Sequence, residues 1–178
     1  MGPARIARCG LSVALIAASA AVSVAVGPVP FTLQTMVLAM LPVAVGGRDA
    51  TISVALYLAL GALGLPVFSN FSGGVAVLAG PTGGFLTGFV AGTALAWAVQ
   101  GVCVLPERVR DVLGAVALLA VSYAMGTLQL MWASGLGPEA ALAVAVAPFV
   151  VPDAVKAAVG ISVGRAVRRA LSARMGRA

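Results

Sequence analysis

Histidine is absent from this chain of 178 residues. That absence removes the commonest general base of nucleophilic catalysis and the commonest metal ligand. Cysteine is nearly absent too. Cys9 and Cys103 stand far apart with no second ligand beside either, which excludes a zinc cluster or a disulfide framework, and both read as small buried apolar side chains. Charged residues are only 9% of the chain, against about 25% in an ordinary soluble domain. No Gly-x-x-x-x-Gly-Lys-[Ser/Thr] run occurs, so the chain does not hydrolyse ATP by itself, and no two carboxylates are poised together in an apolar run. No enzymatic reaction, metal or cofactor is expected.

What is present is lipid-compatible: 61% of the residues are hydrophobic. The chain reads as an integral membrane protein with one domain over residues 1–178, long enough for about six spans of ~20 residues. The net charge of +6 does not point to nucleic acid, because the arginines cluster at the termini and in short loops beside apolar runs. Apolar runs punctuated by Gly, Pro and charge predict spans near residues 10–26, 33–47, 50–65, 82–104, 112–133 and 148–170. The expected fold class is all-α, a bundle of six transmembrane helices with a Gly-rich extracytoplasmic loop between helices 3 and 4. Gly46-Gly-Arg-Asp49 predicts a tight helical hairpin between the second and third runs.

Alternating the spans from a cytoplasmic amino terminus places Arg5, Arg8, Arg48, Arg108, Arg110 and the arginines from Arg165 to Arg177 on the inside. The loops left outside, near residues 27–32, 66–80 and 134–139, hold no Lys or Arg, as the positive-inside rule requires. Both termini are therefore expected in the cytoplasm, with the chain multi-pass in the cytoplasmic membrane. The first 26 residues imitate a secretory signal, but retention of this helix is expected because cleavage would break the agreement of charges.

Against this background one pair of residues is out of place. Lys156 is the single lysine, and it follows Asp153 in Val150-Val-Pro-Asp-Ala-Val-Lys156 inside an apolar run. An ionisable residue within a span costs at least ~2.5–3.5 kcal/mol on insertion scales and is read as functional by default. The i, i+3 spacing puts both groups on one helical face. Pro152 suggests a helix that starts near that residue, with Asp153 in its first turn. Lys156 then lies nine residues, roughly 14 Å, before Arg165, in the outer half of the membrane. Such a pair suits a small ligand with a carboxylate at one end and hydrogen-bond donors at the other. The bland alternative is an internal ion pair tethering helices.

On the same side lies the charge-free stretch Leu65-Pro-Val-Phe-Ser-Asn-Phe-Ser-Gly-Gly74, then Gly80-Pro-Thr-Gly-Gly84. A polar backbone of this kind is tolerated at membrane depth only where protein buries it or it lines a cavity, so a folded lid or re-entrant loop is expected. Ser69, Asn70 and Ser72 would offer polar groups to a ligand, and Phe68 and Phe71 an apolar cover. Thr32, Gln34, Tyr57, Tyr123, Gln129 and Trp132 are further possible liners. On the first helix Ala14 pairs with Ala18 and Ala17 with Ala21 at four-residue spacing, which permits close approach of a partner helix.

Three segments resemble the BioY family, the biotin-specific substrate-binding (S) components of energy-coupling-factor (ECF) transporters. They are Gly27-Pro-Val-Pro-Phe-Thr-Leu-Gln-Thr35, Tyr57-Leu-Ala-Leu-Gly-Ala-Leu-Gly-Leu-Pro-Val-Phe68 running into Gly80-Pro-Thr-Gly-Gly-Phe85, and Pro148-Phe-Val-Val-Pro-Asp-Ala-Val-Lys156. The resemblance implies six helices, biotin as ligand, and docking of the first-helix alanines on a transmembrane coupling protein and its ABC-type ATPases. It also implies that Lys156 pairs with the ligand carboxylate, that Asp153 accepts ureido hydrogen bonds and that Asn70 of the loop contacts the ligand. Two other classes stand beside it: a proton-coupled secondary carrier using Asp153, and a structural membrane subunit without ligand.

Overall fold

The structure is a computed structural model that describes residues 2–175. Among them are eight α-helices: α1 (Pro3–Ala21), α2 (Gln34–Val45), α3 (Gly47–Ala62), α4 (Val75–Ala79), α5 (Gly83–Gln100), α6 (Glu107–Ser134), α7 (Pro138–Ala145) and α8 (Ala147–Met175). The chain is mostly helical, as expected, with one addition: Ser23–Val26 (β1) and Val29–Thr32 (β2) form an antiparallel hairpin. Gly27, with φ +75°, makes the turn, and β-branched valines flank it. The first helix therefore ends at Ala21 rather than near residue 26, and it begins at Pro3 because Arg5 and Arg8 are both held by Asp49.

Two helix pairs pack so closely that only glycine fits at the contact. A Cβ on Gly84, Gly88 or Gly92 of α5 would run into the α6 backbone at Met125, Ser122 or Leu118. On α8, Gly160 and Gly164 meet the α2 carbonyls of Met36 and Met40 in the same way. Without a hydrophobic drive between helices in lipid, such close van der Waals approach is what holds them together. The central apolar cluster gathers Ile16, Leu38, Leu41, Tyr57, Phe68 and Leu118 from α1, α2, α3, the following loop and α6.

The arginines collect at one end of the bundle. The predicted hairpin is present, with Gly46 (φ +89°) the single residue between α2 and α3. Gln100 joins it to α5 by donating to the Pro42 carbonyl and accepting from the Gly47 N–H, both at 2.9 Å. Arg110 donates to the Gln100 carbonyl, Arg165 pairs with Asp111 at 2.8 Å, and Arg168 pairs with Glu107. Cys103 lies in the α5–α6 loop here and is exposed, contrary to expectation, whereas Cys9 is buried.

The opposite end holds the β hairpin, the α3–α5 connection and α7. Here α2 is too short to fill a bilayer, since 12 residues reach only about 18 Å of a ~30 Å hydrocarbon core. The hairpin sits over its open end, tied to α1 by the Leu33 N–H donating to the Ser19 carbonyl at 3.3 Å. The last helix also differs from expectation. It starts at Ala147 and runs through Pro152, because α7 ends at Ala145 and only one turn precedes the proline. Pro152 therefore lies inside the helix, and the bond it cannot donate is the one to the Pro148 carbonyl.

Candidate ligand-binding site

The short α2 leaves a cavity at its amino-terminal end, with about 70 Å³ of free space, room for a few waters. Its apolar wall comes from Val29, Phe85, Leu86, Phe89, Leu119 and Phe149, and its polar groups from Thr32, Gln34, Thr35, Ser122, Asp153 and Lys156. One turn of α8 brings Lys156 back over Asp153, with Nζ 2.5 Å from Oδ1, and both side chains are buried.

Each charge is held by named neighbours. Asp153 Oδ1 also accepts from the Thr35 hydroxyl at 2.9 Å, and Oδ2 accepts from the Tyr123 hydroxyl at 2.7 Å. The Lys156 ammonium donates to the Thr32 carbonyl at 2.8 Å and lies 4.0 Å above the Phe31 ring, which stacks on Phe149 with centroids 5.9 Å apart. A cation over an aromatic face keeps part of its stabilisation when desolvated. An ammonium has three donors and a carboxylate about four acceptor positions, so among the described residues one N–H of Lys156 and one lone pair on Asp153 Oδ2 have no hydrogen-bond partner. Lys156 and Asp153, expected to meet the two ends of one ligand, stand here in direct contact.

The loop residues separate. Ser69 lines the cavity, and Asn70 sits just beyond, with φ +57°, accepting from the Ser23 hydroxyl at 2.9 Å and so fastening the loop to the hairpin. Ser72 donates to the Ser69 carbonyl at 2.8 Å and closes the turn. Phe68 is not a cover; it fills the bundle core, edge-on to Tyr57 at 5.5 Å and against Gly61. Phe71 points away and is 70% exposed. Tyr57 reaches the site only through Gln34, whose amide donates to its hydroxyl at 2.9 Å. Gln129 donates to the Leu78 and Gly80 carbonyls, pinning α4 to α6, and Trp132 is 81% exposed. Thr35, Phe31, Thr82 and Phe149 do not stand out in the sequence as site residues. Phe149 sits seven residues before Lys156, two turns along the same face, and that spacing is the one signal available for it.

A match to the BioY family spans residues 1–173. The chain belongs to that family. The biotin transporter BioY of Thermotoga maritima is 40% identical over 127 residues, 69% of this chain and 72% of its own length. The biotin transporter BioY2 of Lactococcus lactis is 34% identical over 142 residues, covering 78% and 76%. A solved structure titled as the S-component for biotin from an ECF-type ABC transporter superposes with a TM-score of 0.85 over 95% of both chains, at 23% identity, which shows a shared fold. This BioY-family chain is therefore a mostly helical, multi-pass membrane protein, and α1, α6 and α7–α8 are long and apolar enough to cross a bilayer on composition alone.

Proposed function

We propose that this chain is the S component of an ECF-type transporter and captures biotin for uptake across the cytoplasmic membrane. The observation that carries this reading is the buried Lys156–Asp153 pair, with one donor and one acceptor position to spare, lining a cavity with aromatic and aliphatic walls. A ureido edge presents a carbonyl and an adjacent N–H, so it complements that pair without opening it: Lys156 donates to the carbonyl and Asp153 accepts from the N–H. Thr35 and Tyr123 fix the carboxylate for this task, and the thiophane ring packs among Phe85, Phe89 and Phe149. The valerate carboxylate then points toward Ser69 and Thr82, at the loop-covered mouth, where water can solvate it.

Six helices, α1, α2, α3, α5, α6 and α8, form the six spans in this reading, the β hairpin completing the span of the short α2, with both termini and the arginine end in the cytoplasm. Biotinamide, which lacks the carboxylate, tests the orientation. Detergent-purified protein should bind it within about fivefold of biotin, because the ureido contacts are unchanged. A loss of a hundredfold or more, about 2.7 kcal/mol, would show that Lys156 pairs with the carboxylate instead. Absence of any saturable biotin binding would overturn the function itself.

The partners in this reading are a transmembrane coupling protein and ABC-type ATPases. Ala14 and Ala18 are exposed on the outer face of α1 beside Leu11 and Leu15, while Ala17 and Ala21 are half-buried, Ala17 against the core cluster. The docking surface is accordingly Ala14 with Ala18. Replacing both by Leu should leave biotin binding by purified protein intact and reduce ATP-driven uptake in cells at least tenfold, since bulk there blocks close helix approach. Unchanged uptake would place docking on another face.

A further inference from the structure

At the arginine end, Glu107 and Arg108 of α6 face Arg165, Arg168, Arg169 and Ser172 of α8 across a cleft of about 350 Å³. Its charges are unequally matched. Arg165 is paired with Asp111 and donates to the Arg108 carbonyl at 3.3 Å, and Arg168 is paired with Glu107. Arg108 and Arg169 have no carboxylate partner among the described residues. Four guanidiniums thus line a concave site that has one lining carboxylate, Glu107, with Asp111 meeting Arg165 from outside the lining, which leaves the cleft short of anionic charge. A guanidinium fork matches a phosphate diester with two parallel N–H donors, and the pairs to Glu107 and Asp111 tie the α6 and α8 walls of the cleft together.

The apolar surface beside the cleft has the right direction. On α8 the exposed Val151, Val155 and Ala158 lie along the face that carries Arg169. On α6 the exposed Val112 and Val116 follow Arg108 at four-residue steps. Phosphate-binding groups at a span end, continued along the span by a lipid-facing apolar seam, are what a phospholipid needs and a soluble phosphate does not. We propose that this cleft binds the headgroup of an anionic phospholipid, with its acyl chains along the seam between α6 and α8. The inference does not depend on the ligand carried in the distant cavity.

Native mass spectrometry of the detergent-purified full chain, offered equal amounts of phosphatidylglycerol and phosphatidylcholine, tests it. The protein should retain phosphatidylglycerol at least about tenfold more than phosphatidylcholine, since basic pockets at the cytoplasmic ends of spans select anionic headgroups. Arg108→Gln with Arg169→Gln should abolish that preference while biotin binding persists as the check on folding. Arg48→Gln, which removes charge from the same end outside the cleft, should keep it. Equal retention of the two lipids, or a preference that survives the double substitution, overturns the proposal. Displacement of phosphatidylglycerol by an equal concentration of inorganic phosphate would identify a free-phosphate site and overturn it too. So would a double variant that keeps its lipid preference and instead loses the coupling protein, since the cleft would then be a protein contact.

Discussion

Lys156→Ala should weaken biotin binding by at least about 2 kcal/mol, some 30-fold in Kd, measured on purified protein by isothermal titration. Three losses combine. The ligand loses a charged donor, the Asp153 carboxylate keeps only the Thr35 and Tyr123 hydroxyls as partners, and the stacked Phe31–Phe149 faces lose the cation above them. Asp153 is buried, so its remaining charge is screened by protein alone and the truncation leaves it uncompensated. Lys156→Arg should also bind poorly, because a planar fork cannot donate to the Thr32 carbonyl, reach Asp153 and serve the ligand from the position of one compact ammonium. Lys156→Met separates the charge from the packing: a loss equal to that of Lys156→Ala assigns the effect to the charge. Near-normal binding by all three variants would move the ligand to another site.

The pair itself is legible in the sequence because a lysine within an apolar run is costly to insert and persists only where a partner, water or ligand compensates it. Its surroundings are legible only in part. Tyr123 is visible as a polar aromatic in a span, but nothing in one dimension shows that its hydroxyl meets Asp153 thirty positions away. Thr35 is one of many hydroxyls in apolar helices. It matters because α2 begins at Gln34, and that boundary depends on the hairpin before it.

In the loop, polarity is legible and volume is not. Phe68 and Phe71 are chemically alike, yet Gly61 leaves a hollow on α3 that takes one of them, and the positive φ of Asn70 and Phe71 turns the other outward. A cover built on both rings is therefore not available. The hairpin is hidden for a similar reason. Ser23-Val-Ala-Val26 is apolar enough to extend a span, and only the pairing with Val29–Thr32 across Gly27 distinguishes a strand from a helix end. The arginines, by contrast, point directly to the gathering of one end of the bundle, since helices joined by short turns must alternate in direction.

Close helix packing carries the second large effect. Gly84, Gly88 and Gly92 repeat every four residues on α5, and Gly160 and Gly164 repeat on α8, a spacing that is hard to tell from chance in a chain with 22 glycines until the facing backbones are seen. Gly160→Leu should cost at least about 3 kcal/mol of stability, because the obstacle is the Met36 carbonyl, a backbone group that cannot rotate aside as a side chain would. Even Gly160→Ala should be destabilising, since the overlap begins at Cβ. The damage should extend to the ligand site: Thr35 precedes Met36 on α2, and Lys156 lies one turn from Gly160 on α8, so parting these helices pulls Thr35 away from Asp153 and the Thr32 carbonyl away from Lys156. Thermal unfolding in detergent should show a Tm lower by roughly 6–12 °C for Gly160→Leu. Gly10→Leu on α1, where an added side chain meets nothing, should leave Tm unchanged or raise it. Equal Tm values for the two variants would mean that α2 and α8 are not locked by backbone contact, and biotin binding retained by Gly160→Leu would show that the site survives their separation.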